Sequence, residues 1–344
     1  VSPELMPAAV YVGDGRIEVD EVPRPEPGPD EVLVEIAACG ICGSDLHMVL
    51  ERYARPGAIL GHEWSGTVAE APLGSGWSAG DRVVGNAAPG CGECRPCRRG
   101  RPSVCMRRAS ADFAGYRGAF CQYKTAAADG LIRIPDWLAT RPAALAEPTA
   151  ITLHALRLAD VRPDDRVLVT GAGPVGLLLI AVLRAQGVSD ITVSEPSPVR
   201  RQQALDVGAT RVVTPDTLGE PPMTQPVAEP FAVAFECSGH ASAAEAALGQ
   251  LDYAGTLVIV GTGFEPPRFN QNRLIIFELE VIGAYNYNDE GFGPAVDLLG
   301  SGTLPLGSLI EPADIPLSEV MDAMERLSRG EIPSKVMVQP GLAS

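Results

Sequence analysis

Lysine is nearly absent from this chain of 344 residues: Lys124 and Lys335 are the only two among 27 basic side chains. Acidic residues number 43, so the net charge is −16. Binding a polyanion depends on clustered Lys and Arg, and this balance excludes nucleic acid as an expected partner. Long apolar runs are missing too. The longest near the middle, Val175 to Leu183, is interrupted by a glycine and is far shorter than the roughly 20 residues of a membrane span, so no membrane partner is expected. The chain begins Val-Ser-Pro-Glu-Leu, without the basic and apolar regions of a secretory signal, and a cytoplasmic location is expected. In such a reducing compartment, eight cysteines read as metal ligands or packed thiols rather than disulfides.

What is present is the composition of a folded globular protein, with 46% hydrophobic and 20% charged residues. The length exceeds one ordinary core and suits two domains. The first part reads as short β segments (8–12, 17–19, 31–38, 66–68) between Pro/Gly turns, an all-β and roughly barrel-like unit. After Ala146 the pattern changes. Expected helices at 151–158, 173–186, 199–207 and 241–248 alternate with expected strands at 166–170, 190–194, 211–214, 232–236, 256–261 and 279–283. That alternation predicts an α/β parallel sheet. The segment 214–230, with five prolines, is expected to be an irregular loop whose role the sequence does not disclose. From about Asp289 the tail reads as two amphipathic helices and a strand at 335–339 that returns to the N-terminal unit.

Three groups of residues carry chemistry. Cys91, Cys94, Cys97 and Cys105 form C-x2-C-x2-C-x7-C, a spacing at which four thiolates close a tetrahedral zinc site with no position left for substrate. Disulfides or an iron–sulfur cluster are the competing readings. Arg95, Arg98, Arg99, Arg101, Arg107 and Arg108 surround this lobe and are expected to offset its negative charge and to lower thiolate pKa values. Upstream, Cys42 in Gly40-Ile41-Cys42-Gly43-Ser44-Asp45-Leu46-His47 and His62-Glu63 after Gly61 supply a thiolate, an imidazole and a carboxylate, which suits an open zinc site of three protein ligands. Finally, Gly171-Ala172-Gly173-Pro174-Val175-Gly176 is G-x-G-x-x-G placed between a strand and a helix. Its glycines permit the tight turn, the approach of a pyrophosphate and close helix packing, and the helix N-terminus favours the phosphates. Glu195, at the end of the next strand, stands where an acid would receive the adenosine ribose hydroxyls and repel an additional phosphate, so NAD is expected over NADP.

The order Cys42, Gly61-His62-Glu63, the thiolate lobe and Gly171–Gly176 resembles the zinc-containing medium-chain dehydrogenases along essentially the whole chain. The resemblance implies a mostly-β GroES-like catalytic domain (1–149 and 289–344) and a Rossmann, doubly wound dinucleotide-binding domain (150–288). It implies one catalytic zinc, held by Cys42 and His62, and one structural zinc. Ser44 and His47 would be a proton relay, and Asp45 would orient His62. Where the alcohol dehydrogenase branch usually has another cysteine, this chain has Glu147-Pro148, similar to the sorbitol, butanediol and threonine dehydrogenase branch; Glu63 and Glu147 are both metal candidates, with Glu63 also among the catalytic residues. Arg200 would line the adenine-ribose side and Lys335 would reach the pyrophosphate.

The expected activity is reversible hydride transfer between NAD(H) and a secondary alcohol, polyol, sugar or cyclitol, by a homotetramer or homodimer. One alternative is a zinc-independent enoyl or quinone reductase, which needs none of the ligand cysteines. Another is a catalytically silent NAD-binding regulatory protein, against which Ser44, His47, Glu63 and Glu147 argue. Tyr53, Phe113, Tyr116 and Tyr285 are candidate pocket walls. Cys39, Cys121, Cys237, His154 and His240 read as structural.

Overall fold

The computed structural model describes residues 4–85, 90–109, 117–288 and 291–343, the side chains of 108 and 109 excepted. Phe113, Tyr116 and the proposed boundary residue Asp289 lie outside the described residues.

The N-terminal half is antiparallel. β1 (Leu5–Gly13) and β2 (Arg16–Pro23) form a hairpin. β3 (Glu31–Gly40), β4 (Glu63–Glu70), β5 (Arg82–Gly85), β6 (Tyr123–Ala127) and β7 (Leu131–Arg133) form most of a six-stranded sheet. β3 is its centre: β4 runs along one edge, and β6 occupies the first half of the other. Its burial pattern, with Val32, Leu33, Val34 and Ile36 all enclosed, is that of a strand covered on both faces.

The second half is a parallel sheet of β8 (Arg166–Thr170), β9 (Asp190–Ser194), β10 (Arg211–Val213), β11 (Phe231–Glu236), β12 (Leu251–Ile259) and β13 (Glu280–Gly283), in the order β10-β9-β8-β11-β12-β13. Counted from β8 this is 3-2-1-4-5-6, the doubly wound order in which the direction of strand addition reverses between the first and fourth strands. The helix Pro174–Ala185 is apolar nearly all round, with Leu177 through Leu183 all buried, as a helix enclosed by sheet and neighbouring helices must be. The last strand, β14 (Met337–Val338), leaves this half and pairs with the far end of β3, Met337 opposite Gly40 and Val338 opposite Cys39. Before it, the helix Val320–Ser328 buries Val320, Ala323, Met324 and Leu327 in the N-terminal core. No helix among the described residues is long and apolar enough to cross a membrane.

Several boundaries differ from expectation. The helix expected at 151–158 begins at Ala146, since Pro148 falls in its first turn, where no N–H is required. Glu147 therefore lies at a helix start. β12 begins at Leu251, ahead of the expected 256. The helices Gly43–Leu50 and Gln271–Phe277 were not expected; both are too short for periodicity to show. The segment 214–230 is irregular apart from a single 3-10 turn, Pro215–Thr217. It is held by Arg273, whose guanidinium donates to the carbonyls of Pro222 at 2.7 Å and Gly249 at 2.8 Å and lies 4.1 Å from the centre of the Phe277 ring.

Candidate active site

Sheet register sets the first cluster. Gly40 of β3 faces Glu63 of β4 on one side and Met337 of β14 on the other. A Cβ at Gly40 would collide with the Glu63 carboxylate, so only glycine lets that side chain cross β3 toward the tail strand. Gly61, one residue before His62, has φ +89°, and a Cβ there would come within 2.8 Å of the Cys39 sulfur and the Phe120 ring. Cys42 caps the helix Gly43–Leu50, and the Asp45 carboxylate accepts from the Cys42 N–H at 3.0 Å and the Gly61 N–H at 3.2 Å. Asp45 thus ties the two ligand-bearing segments together. It also lies 3.5 Å from His62 Nδ1, leaving Nε2 to face the cluster, where Ser44 Oγ is 3.4 Å away.

The result is that Cys42, His62 and Glu63 offer ligand atoms all within 4.8 Å of one another. Burial alone would lower the His62 pKa, but Asp45 and Cys42 outweigh it and hold it well above its usual value. Beside this group, burial pushes the Glu147 carboxyl up to about 7; Glu63 and Asp45 add to the shift, while His62 and Lys335 oppose it. A site crowded with thiolate, imidazole and carboxylates in low dielectric suits a dication, which removes the mutual repulsion.

Lys335 is the correction. It is not directed to the glycine loop: its ammonium is buried, 2.7 and 2.6 Å from the two Glu63 oxygens, and donates to the Ile41 carbonyl at 3.0 Å. Burial works against its charge, and Glu63 and Cys42 more than compensate, so its pKa is raised. The parallel bridge Ile310–Lys335 and the pairing of β14 bring the tail here.

The lobe sulfurs of Cys91, Cys94, Cys97 and Cys105 likewise lie within 4.8 Å of one another. Four sulfurs around one zinc at about 2.3 Å would be about 3.8 Å apart, so the arrangement fits that ion with small adjustment. The Cys94 pKa is lowered chiefly by the N–H groups of Cys97 and Met106, not by an arginine. Arg107 is paired with Glu93 at 2.6 Å. The arginines are therefore not the main cause of that shift. All eight cysteines are free thiols, and Cys39, Cys121 and Cys237 belong to neither cluster.

The dinucleotide elements meet at the switch between β8 and β11. Gly171 has φ +93°, and a Cβ on it would strike Ser238 at 2.8 Å. Gly176 abuts the Gly171 carbonyl, whereas a Cβ at Gly173 would meet nothing within 4 Å. That open face, at the N-cap of the helix whose first residues are Pro174 and Val175, is a cradle into which a pyrophosphate fits. Glu195 is almost fully enclosed, its oxygens accepting from the N–H of Ala172 and of Ser197, each at 2.8 Å. Glu236 plays the same part on β11, accepting from the N–H groups of Ser238 and Gly239. Arg200 differs from expectation: its guanidinium donates to the carbonyls of Leu327 at 3.1 Å and Ile332 at 3.2 Å, so it staples the cofactor half to the tail instead of lining a ribose.

Comparison with known proteins agrees with this architecture. Residues 28–136 match the family described as "Alcohol dehydrogenase GroES-like domain" and residues 174–301 the family "Zinc-binding dehydrogenase". The chain is 32% identical to the sorbitol dehydrogenase of Bacillus subtilis (strain 168), covering 98% of each chain. The chain belongs to the zinc-containing medium-chain dehydrogenase family. Within that family it is also 35% identical to an L-threonine 3-dehydrogenase of Xanthomonas euvesicatoria pv. vesicatoria (strain 85-10), over 78% of this chain and 81% of the relative. Among solved structures, a putative zinc-binding dehydrogenase from Sinorhizobium meliloti 1021 bound to NADP superposes with a TM-score of 0.85, at 29% identity, over 98% of this chain and 100% of that one. The family thus joins the thiolate lobe and the glycine cradle in one oxidoreductase, and zinc and a nicotinamide dinucleotide are the groups these residues fit.

Two functional neighbours escaped sequence reasoning. Glu51 accepts from His47 Nδ1 one helical turn away, which an i, i+4 reading of the short helix would have found. Phe264, beyond β12, sits on His47 and Tyr53 and carries no sequence signal. Tyr285 is half exposed and in none of these contacts.

Proposed function

We propose that the chain is a zinc- and NAD-dependent dehydrogenase that oxidises secondary alcohols or polyols to ketones, reversibly, releasing one proton per hydride transferred. The observation that carries this reading is the convergence of Cys42, His62 and the buried Glu63, backed by the sorbitol and threonine dehydrogenase relatives. In this reading residues 1–149 and 289–344 form the catalytic unit and 150–288 the dinucleotide unit. Cys42, His62 and Glu63 would hold the catalytic zinc, with Glu147, outside that group of three, a further metal candidate, and Cys91, Cys94, Cys97 and Cys105 would hold the structural one. When bound, zinc supplies Lewis acidity to the substrate oxygen and NAD⁺ accepts the hydride.

The chain's own residues do the rest. Asp45 fixes the tautomer of His62. Lys335 balances the Glu63 charge and restrains that carboxylate. Ser44 takes the substrate proton and His47, partly exposed, passes it to solvent. Gly171, Gly173, Pro174, Val175 and Gly176 seat the pyrophosphate, and Glu195 takes the ribose hydroxyls and disfavours NADP. Intact thiol ligands suit the reducing cytoplasm. β13 is an edge strand with Ile275, Ile276 and Val281 exposed nearby, which suits self-association into a homodimer or homotetramer. A screen of NAD⁺ reduction over sorbitol, butanediol, threonine, sugars, cyclitols and ethanol tests the proposal. Turnover of ethanol well above every secondary alcohol refutes it.

A further inference from the structure

The relay imidazole is clamped from both halves of the molecule. On its own helix, His47 Nδ1 is paired with Glu51. Its ring meets Phe264 edge-on, centroids 5.4 Å apart and planes at 79°. Phe264 is in turn stacked on Tyr53, at 4.5 Å and 11°. His47 and Tyr53 belong to the segment around the Gly43–Leu50 helix, whereas Phe264 follows β12, next to Gly261-Thr262-Gly263 on the dinucleotide side. Phe264 and Tyr53 are 56% and 51% exposed, so the stack is not part of a core. Edge-to-face and offset-stacked are the two geometries that the ring quadrupole favours.

We propose that Phe264 is a positioning residue for the proton relay, holding the plane of the His47 imidazole, with Tyr53 as the backing that holds Phe264. The inference rests on the proposed relay role of His47. Glu51 pins one nitrogen but leaves the ring free to rock about that bond. A second contact, at the ring face or edge, removes this freedom and fixes the plane of the ring. Because Phe264 comes from the dinucleotide side, this contact gives the relay imidazole a support from each half of the chain.

The test uses His47→Gln, Phe264→Ala, their double variant and Phe264→Trp in the full chain. The chain has only four histidines, so the His47 ring C–H signal is assigned in a histidine-labelled NMR spectrum by its loss in His47→Gln. Phe264→Ala is expected to move that signal by removing the ring current, and Phe264→Trp to restore an aromatic shift. In turnover at saturating NAD⁺, with whichever of sorbitol, butanediol and threonine is oxidised fastest, Phe264→Ala is expected to lower kcat about two- to tenfold, the range of an aromatic pair. It is expected to cost little more once His47 is gone, and to be rescued by Phe264→Trp. An unmoved NMR signal, or losses that simply multiply in the double variant, overturns the positioning role and leaves the relay standing. Unchanged kcat in His47→Gln overturns the relay, and this proposal with it.

Discussion

Replacing Lys335 by Met tests the coupling between the tail and the candidate metal centre. Met conserves much of the volume and removes the charge, leaving the Glu63 carboxylate and the Ile41 carbonyl without their donor at a site where Lys335 is 2% and Glu63 0% exposed. Removing one member of a buried ion pair costs about 3–5 kcal/mol, because the remaining charge stays enclosed and uncompensated. At about 2 °C per kcal/mol for a chain of this size, the metal-free protein should melt about 6–10 °C lower. Bound zinc supplies a second counter-charge to Glu63, so the loss should be smaller in the zinc-loaded protein. Removal of a neighbouring cation should also tighten zinc binding. The double change Lys335→Met, Glu63→Gln should recover part of the metal-free loss, since it no longer strands a charge. Thermal denaturation of the parent, the single and the double variant, each metal-free and with added zinc, reads all of this. A metal-free Tm within about 1 °C of the parent would refute the reasoning. So would an equal loss in the single and double variants.

The other predictions follow from separate observations. Washed protein should carry about two zinc ions per chain, one removed by mild chelation and one retained, because an open site exchanges more readily than a closed thiolate site; Cys42→Ser should lose the first with the fold intact and Cys97→Ser the second with loss of stability. A washed active enzyme with a single zinc would contradict this. Glu195→Ala should erode a preference for NAD over NADP by roughly 10- to 100-fold in kcat/KM, the scale of hydrogen bonds to an ionised group; an unchanged ratio means that Glu195 does not set the choice. Arg200→Met should lower Tm while leaving KM for NAD⁺ nearly unchanged, since Nη2 of its guanidinium donates to the Leu327 and Ile332 carbonyls of the tail; a large rise in KM would restore the ribose assignment. Val281→Lys, on the edge strand, should reduce the sedimenting mass, and an unaltered oligomer would move the interface elsewhere.

The parts of the molecule legible in the sequence are those in which local pattern and chemistry coincide. β8, the glycine loop and the following helix occupy consecutive residues, so one stretch contains the strand, the turn and the anion-binding terminus together. The thiolate lobe is legible for the same reason: its spacing is its geometry. Boundaries went astray where tertiary packing overrode pattern, as at Ala146, where the helix starts well before its apolar periodicity is apparent. The Gln271–Phe277 helix depends on Asn270, whose side chain accepts from the Asn272 N–H at 3.0 Å, and on Arg273 anchoring the proline-rich loop from within it.

The misplaced residues have a different origin. Lys335 and Glu63 are 272 positions apart, and their contact exists because β14 adds to β3 at Gly40. Nothing in the residues around either one records that pairing. A lysine near the end of such a chain could serve a phosphate or a carboxylate equally well; register alone decides, by placing its ammonium against Glu63 rather than at the Gly173 cradle. Arg200 follows the same logic. Its place one turn into the Pro198–Asp206 helix suits a ribose contact, but the tail crosses that helix, and two carbonyls at hydrogen-bond distance claim the guanidinium first. In both cases the long-range strand and helix contacts of the last 30 or so residues, roughly two turns of helix and one strand, redirect a cation from the cofactor to the joint between the two halves. The C-terminal segment is therefore a structural part of the candidate active site: it supplies the counter-charge for Glu63 and, through Arg200, fastens the half of the molecule that carries the dinucleotide cradle.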